Sequence, residues 1–182
     1  MGEDKGFTLI ELILSLAIYS IIALSLFSLL KYSINSCNLG NMEDEVLLNG
    51  RYALEYIKRE IKAADEIVSA EKFDSLNELY KDNFGFVIMN YNPGVTCKYN
   101  YSTYYFKDNK IYRIAANRID DKLPKGSYFS GHNEIAEYII SIEDTSIDFN
   151  TKIINLSFVL GANKGKEILL ESKLSIRCPI IY

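Results

Sequence analysis

The sequence predicts an α+β protein: a long N-terminal helix, membrane-spanning in its first half, packed by its second half on an antiparallel β-sheet domain. Three observations predict it. The run from Phe7 to Leu30 is apolar and, Tyr19 aside, carries one ionisable side chain, Glu11. From Glu43 onward, apolar residues recur at alternating spacings of three and four, one stripe of a helix. Beyond Ala70, short segments alternate apolar and polar residues between turn formers, as half-buried strands do.

The elements follow in chain order. Residues 1–6 (Met1-Gly2-Glu3-Asp4-Lys5-Gly6) form a short hydrophilic leader. It lacks the basic start of a secretory signal, and no small-x-small cleavage pattern appears near Leu30-Lys31-Tyr32-Ser33. A myristoylation reading of Met1-Gly2 fails because position 6 is Gly rather than Ser or Thr. Residues 7–30 make a helix of roughly 36 Å, enough for a hydrocarbon core of ~30 Å. A carboxylate inside such a segment costs on the order of 3 kcal/mol, so Glu11 implies a function and a positively charged partner.

Residues 31–70 continue the helix as an amphipathic segment. Asn35 to Asn41, with Gly40 and three Asn, form a weak helical stretch, and a bend or a locally melted turn is expected there. The stripe Leu47, Gly50, Leu54, Ile57, Ile61, Ala64 and Val68 then needs a covering surface, while Arg51, Glu55 and Arg59 share another face at i,i+4 spacing and are expected to pair in sequence. Residues 71–182 supply the sheet. Strands are expected over Phe84–Met89, Tyr99–Phe106, Lys110–Ala115, Ala136–Glu143, Lys152–Leu160 and Glu167–Arg177. Lys107-Asp108-Asn109 turns one hairpin and Gly161–Gly165 another. Asp120–Asn133, with Pro124, Gly126 and Gly131, is expected as a surface loop. One sheet face would pack on the helix and the other would be wet. Tyr99, Tyr101 and Tyr105 share one strand face, with Tyr104 on the other. An exposed aromatic row would suit partner binding, and burial against the helix is the alternative.

Composition narrows the function. The chain has 182 residues and a formal net charge of −4, with no basic block to suggest nucleic-acid binding. No nucleophile elbow, P-loop or dinucleotide fingerprint occurs, so neither an enzyme nor a cofactor is expected. His132, the single histidine, is expected as an exposed loop residue. Glu143, Asp144 and Asp148 match no calcium-loop spacing, which favours a solvated turn over a metal site. Of the three cysteines, Cys37, Cys97 and Cys178, the last two fall in the globular region and are the possible disulfide pair. Three free thiols, as in a reducing habitat, are the alternative.

Gly6-Phe7-Thr8-Leu9-Ile10-Glu11-Leu12 followed by an unbroken apolar run resembles the class III signal of the type IV pilin and pseudopilin superfamily. The resemblance implies cleavage between Gly6 and Phe7 by prepilin peptidase and N-methylation of Phe7. It also implies that Glu11 pairs with the N-terminal amine of a neighbouring subunit, which physics favours because opposite charges attract strongly at low dielectric. It implies a single-pass cell-membrane protein with the C-terminal domain outside, later incorporated into an extracellular filament. Its partners would be other minor and major pilins, the peptidase, the pilus assembly platform and the cytoplasmic membrane. Gly50–Ala64 is similar to the helix of PilW-like minor pilins and J-type pseudopilins, with ComGF-like competence pseudopilins a neighbouring option. Lys173–Arg177 loosely resembles their last strand. The function so implied is a minor pilin or pseudopilin of an initiation or tip complex. A pilus-displayed adhesin or DNA-uptake binding module is the alternative. Pilus, type II secretion and competence machines share this blueprint.

Overall fold

The computed structural model describes residues 8–161 and 166–182. One helix, α1 (Leu9–Ala63), runs unbroken through both of the chain's compact units, which divide between Met42 and Glu43. No turn melts over Asn35–Asn41, and those residues stay helical. Helix formation is cooperative, so a few poor formers inside a long helix cost less than a break.

In the first unit every large apolar side chain from Leu9 to Leu30 is exposed. The segment is long and apolar enough to cross a membrane. Its serines are satisfied internally: Ser15 donates to the Leu12 carbonyl (2.9 Å), Ser20 to Leu16 (2.8 Å), Ser25 to Ile21 (2.8 Å) and Ser28 to Leu24 (2.9 Å). Serines bonded to their own helix's carbonyls leave no free hydroxyl of their own for hydrocarbon to desolvate.

The second unit holds two sheets. The larger is built from β1 (Glu66–Ser69), β2 (Phe86–Tyr91), β3 (Tyr99–Lys107), β4 (Lys110–Arg118), β5 (Ser130–Ala136) and β10 (Ile180–Ile181), in the order β10-β1-β2-β3-β4-β5. All pairs are antiparallel except β1 with β10. The smaller holds β6 (Ile139–Ser141), β7 (Ser146–Asp148), β8 (Ile153–Leu160) and β9 (Ile168–Ser175), all paired antiparallel to β8. Asp108 and Asn109 have φ of 51° and 61° and close the β3–β4 hairpin as a two-residue turn. Asp and Asn tolerate this left-handed backbone. The turn joining β8 to β9, residues 162–165, lies outside the described residues.

The main core joins Ala53, Leu54, Ile57 and Ile61 of α1 to Phe86, Tyr104, Leu156, Phe158 and Leu160 of both sheets. Burying each of the Leu, Ile and Phe side chains among them is worth about 1.5–3 kcal/mol. Gly50 sits in the same seam, where an added Cβ would run into the side chains of Leu160 and Leu170. The absence of a side chain there lets the helix lie close to β8 and β9.

Several expectations are corrected. The helix ends at Ala63, and Glu66–Ser69 form β1, so the sheet domain starts before Ala70. β-branched Ile67 and Val68 pair with β2 on one side and β10 on the other. The expected ion pairing along Arg51, Glu55 and Arg59 is replaced: Glu55 pairs with Lys58 at 2.8 Å, and Arg59 lies 5.3 Å from the Tyr56 ring centroid. The loop expected over Asp120–Asn133 gives way to β5 from Ser130, and the strand expected over Ala136–Glu143 shortens to β6. The second face of the larger sheet is covered as well. Val87, Tyr101, Tyr105, Ile114 and Ala116 pack under Phe73, Leu76 and Phe129, which come from the irregular segments Ala70–Tyr80 and Gly126–Phe129. Leu76 opens the short helix α2 (Leu76–Leu79).

Candidate functional site

The start of α1 carries the first cluster. Glu11 Oε2 accepts from the Thr8 backbone N–H (2.9 Å) and from Thr8 Oγ1 (2.8 Å), while Glu11 N–H approaches Thr8 Oγ1 at 3.4 Å. This is a capping box, in which a Thr and the Glu three residues later satisfy each other's backbone groups at a helix N-terminus. It holds the carboxylate over the first turn, beside the end from which the chain enters the helix. Gly6 and Phe7 lie outside the described residues. Thr8 was not singled out from the sequence, although T-x-x-E ahead of an apolar run is a signal for it.

A second polar cluster fastens α1 to the larger sheet. Glu60 Oε2 accepts from the Tyr104 hydroxyl and from Arg113 Nε (3.0 Å), and Glu60 Oε1 accepts from the Tyr56 hydroxyl (3.3 Å). Glu60 and Arg113 are both mostly buried. Burial, reinforced by the Glu60 charge and hydrogen bond, pushes the Tyr104 phenol far above its ordinary range. Burial works against the Arg113 charge, and the Glu60 hydrogen bond and charge more than offset it. With its charge matched and both oxygens engaged, Glu60 is a fastening residue.

The remaining candidates are spread out. His132 is on β5, with Nδ1 2.9 Å from the Tyr105 hydroxyl, rather than in a free loop. Tyr101 and Tyr105 are buried on one face of β3 and Tyr104 on the other, so these three offer no exposed row. Tyr99, on the first of those faces, is half-buried. Asp148 is committed to its own turn: it accepts from the Asn150 and Thr151 backbone N–H groups and from Thr151 Oγ1, which together hold its carboxyl below the usual range. Among the described residues no three His, Cys, Asp or Glu side chains converge as metal ligands.

The possible Cys97–Cys178 disulfide is not formed, and Cys37, Cys97 and Cys178 are all free. The topology explains it. Cys178 leads into β10, two strands from β2, and Cys97 lies in the loop that joins β2 to β3, next to the start of β3. Two strand spacings already separate backbones by about 10 Å, beyond the ~7 Å limit for a bridge. Burial raises the Cys178 thiol above its ordinary value.

The family model described as the prokaryotic N-terminal methylation motif matches residues 1–29. No curated protein and no solved structure matches the chain. The motif, an apolar N-terminal helix suited to membrane anchoring and the antiparallel-rich domain after it support a type IV pilin- or pseudopilin-like protein. Such proteins associate with other pilins and with prepilin peptidase, and their role is structural.

Proposed function

We propose that this chain is a minor pilin or pseudopilin, cut between Gly6 and Phe7, N-methylated on Phe7 and incorporated into the initiation or tip region of a type IV pilus-like filament. The observation that carries the reading is the methylation-motif match over residues 1–29, which leads into an apolar helix with no core of its own. Such a helix needs lipid before assembly and other helices after it. The domain beyond Glu43 stays outside the membrane and meets neighbouring subunits.

In this reading Glu11 has two duties. Its Oε2 completes the capping box, and its charge meets the amine of a neighbouring subunit. The test separates insertion from assembly. Glu11→Ala should leave the chain in the membrane fraction and remove it from sheared filaments. Wild-type incorporation of the Ala variant would contradict the pairing role.

A further inference from the structure

An exposed aromatic row exists, but it runs across the strands rather than along β3. The cover over the second face of the larger sheet stops at Tyr101, whose ring meets Phe73 edge-on at 5.9 Å. One register row further, Tyr91 of β2, Tyr99 of β3 and Arg118 of β4 are cross-strand neighbours on that same face. Tyr99 is half-buried and Tyr91 is 44% exposed, with ring centroids 5.0 Å apart. Arg118 carries the row on, its Cζ 5.9 Å from the centroid of the Tyr128 ring, which is 59% exposed. A cross-strand tyrosine pair steadies a sheet, so folding accounts for Tyr91 and Tyr99. It does not account for Tyr128, which belongs to no strand and to neither core. Exposed rings gathered in one place mark a binding surface.

The charges around the row select the ligand. Arg118 is already matched: Asp120 Oδ1 accepts from its Nη2 (2.8 Å) and Nε (3.0 Å). Asp120 Oδ2 and the Asp121 carboxylate have no hydrogen-bond partner among the described residues. The Tyr99 phenol is pushed up by desolvation first, then by Asp121, the neighbouring Tyr91 and Asp120. The charges that reach this ring are therefore negative, and a phosphate-bearing chain would meet two carboxylates with the one guanidinium of the row spent. Lys98, Lys122 and Lys125 are exposed in the adjoining loops, which makes a salt-dependent polyanion the competing ligand.

We propose that Tyr91, Tyr99 and Tyr128 form a stacking platform for a neutral carbohydrate chain, with Asp120 and Asp121 accepting hydrogen bonds from its hydroxyls. The face of a sugar ring presents weakly positive C–H groups, which suit the negative face of a tyrosine ring. Its hydroxyls are donors for the free carboxylate oxygens. The platform is complete within one globular unit. The proposal therefore goes beyond the filament reading and does not rest on it.

The test uses the full-length chain in a detergent without a sugar headgroup. It is applied to an array of neutral hexose and N-acetylhexosamine oligosaccharides, cellohexaose, maltohexaose and chitohexaose among them, and titrated with oligo-dT by fluorescence anisotropy. The chain should bind at least one neutral oligosaccharide with an affinity that added salt leaves unchanged. Tyr99→Ala and Tyr128→Ala should each weaken that binding on the order of tenfold, as loss of one stacked ring does. Tyr99→Phe, which keeps the ring, should weaken it less. No binding to any neutral oligosaccharide, binding that the alanine variants leave intact, or a preference for oligo-dT that salt abolishes would each overturn the proposal. Should Tyr99→Ala fold poorly, Tyr128→Ala decides, because that ring lies outside both cores.

Discussion

The two halves of α1 share one backbone conformation and obey opposite solvent rules. Between Leu9 and Leu30 apolar side chains point in every direction and all the large ones are exposed. Between Val46 and Ile61 a single stripe is buried, and Glu60 on the same turns of helix is pinned by a tyrosine and an arginine of the sheet. The first half is finished by whatever apolar medium surrounds it; the second is finished by its own domain. Backbone hydrogen bonding alone therefore does not distinguish an anchor from a scaffold. The distribution of side chains around the helix does.

The same substitution made in each half gives the largest contrast. Ile57→Ala, at a fully buried position, should destabilise the globular unit by about 3 kcal/mol, lost transfer energy plus a cavity. Ile18→Ala, at an exposed position, should change that unit's stability by less than about 0.5 kcal/mol. Chemical unfolding of the full chain in detergent, followed by tyrosine fluorescence, measures both. Equal effects would erase the distinction between the halves.

A smaller effect sharpens how the scaffold half is held. Glu60→Ala strands the Tyr104 hydroxyl and the Arg113 guanidinium in a mostly buried site. Since both charged partners keep some solvent contact, the expected cost is about 2 kcal/mol rather than that of a fully buried ion pair. Glu60→Gln, which keeps an acceptor, should lose less. A neutral Glu60→Ala would mean that the apolar stripe alone fastens the helix.

Alkali probes the same cluster. The folded-state pKa of Tyr104 lies above its unfolded value, so its contribution is fully present below about pH 10 and is lost as pH rises further. The unfolded chain ionises there while the folded phenol stays protonated, a loss of about 1 kcal/mol by about pH 10.5. Absorbance titration at alkaline pH should show a tyrosine that resists ionisation until the domain unfolds. Tyr104→Phe should reduce that resistant fraction, to which buried Tyr101 and Tyr105 also contribute, and titration of every tyrosine near the ordinary value would contradict the burial.

Much of this was legible in the sequence because it rests on local chemistry. The Asp108-Asn109 turn, the alternation that puts Tyr104 opposite Tyr101 and Tyr105, and the helical stripe are all near-neighbour patterns. What was not legible depends on distant chain. Ile67 and Val68 continue the helical spacing, yet β2 and β10 claim them as a strand. The second core is closed by Phe73, Leu76 and Phe129, whose irregular segments carry no periodicity. β7 and β10 are too short to show alternation. At the candidate site, Glu11 stood out by its charge, whereas Thr8 is marked only by the weaker T-x-x-E spacing, whose meaning shows once its hydroxyl and N–H are seen on the same carboxylate oxygen.

The contrast between the halves ends in a claim about processing: the anchor half begins at a residue created by cutting the chain. Mass spectrometry of the N-terminal peptide, from cells with and without prepilin peptidase, tests this most directly. The account predicts N-methylated Phe7 when the peptidase is present and an uncut leader containing Gly6 when it is absent. An intact leader in both strains, or a mature terminus beyond Leu30, would contradict it.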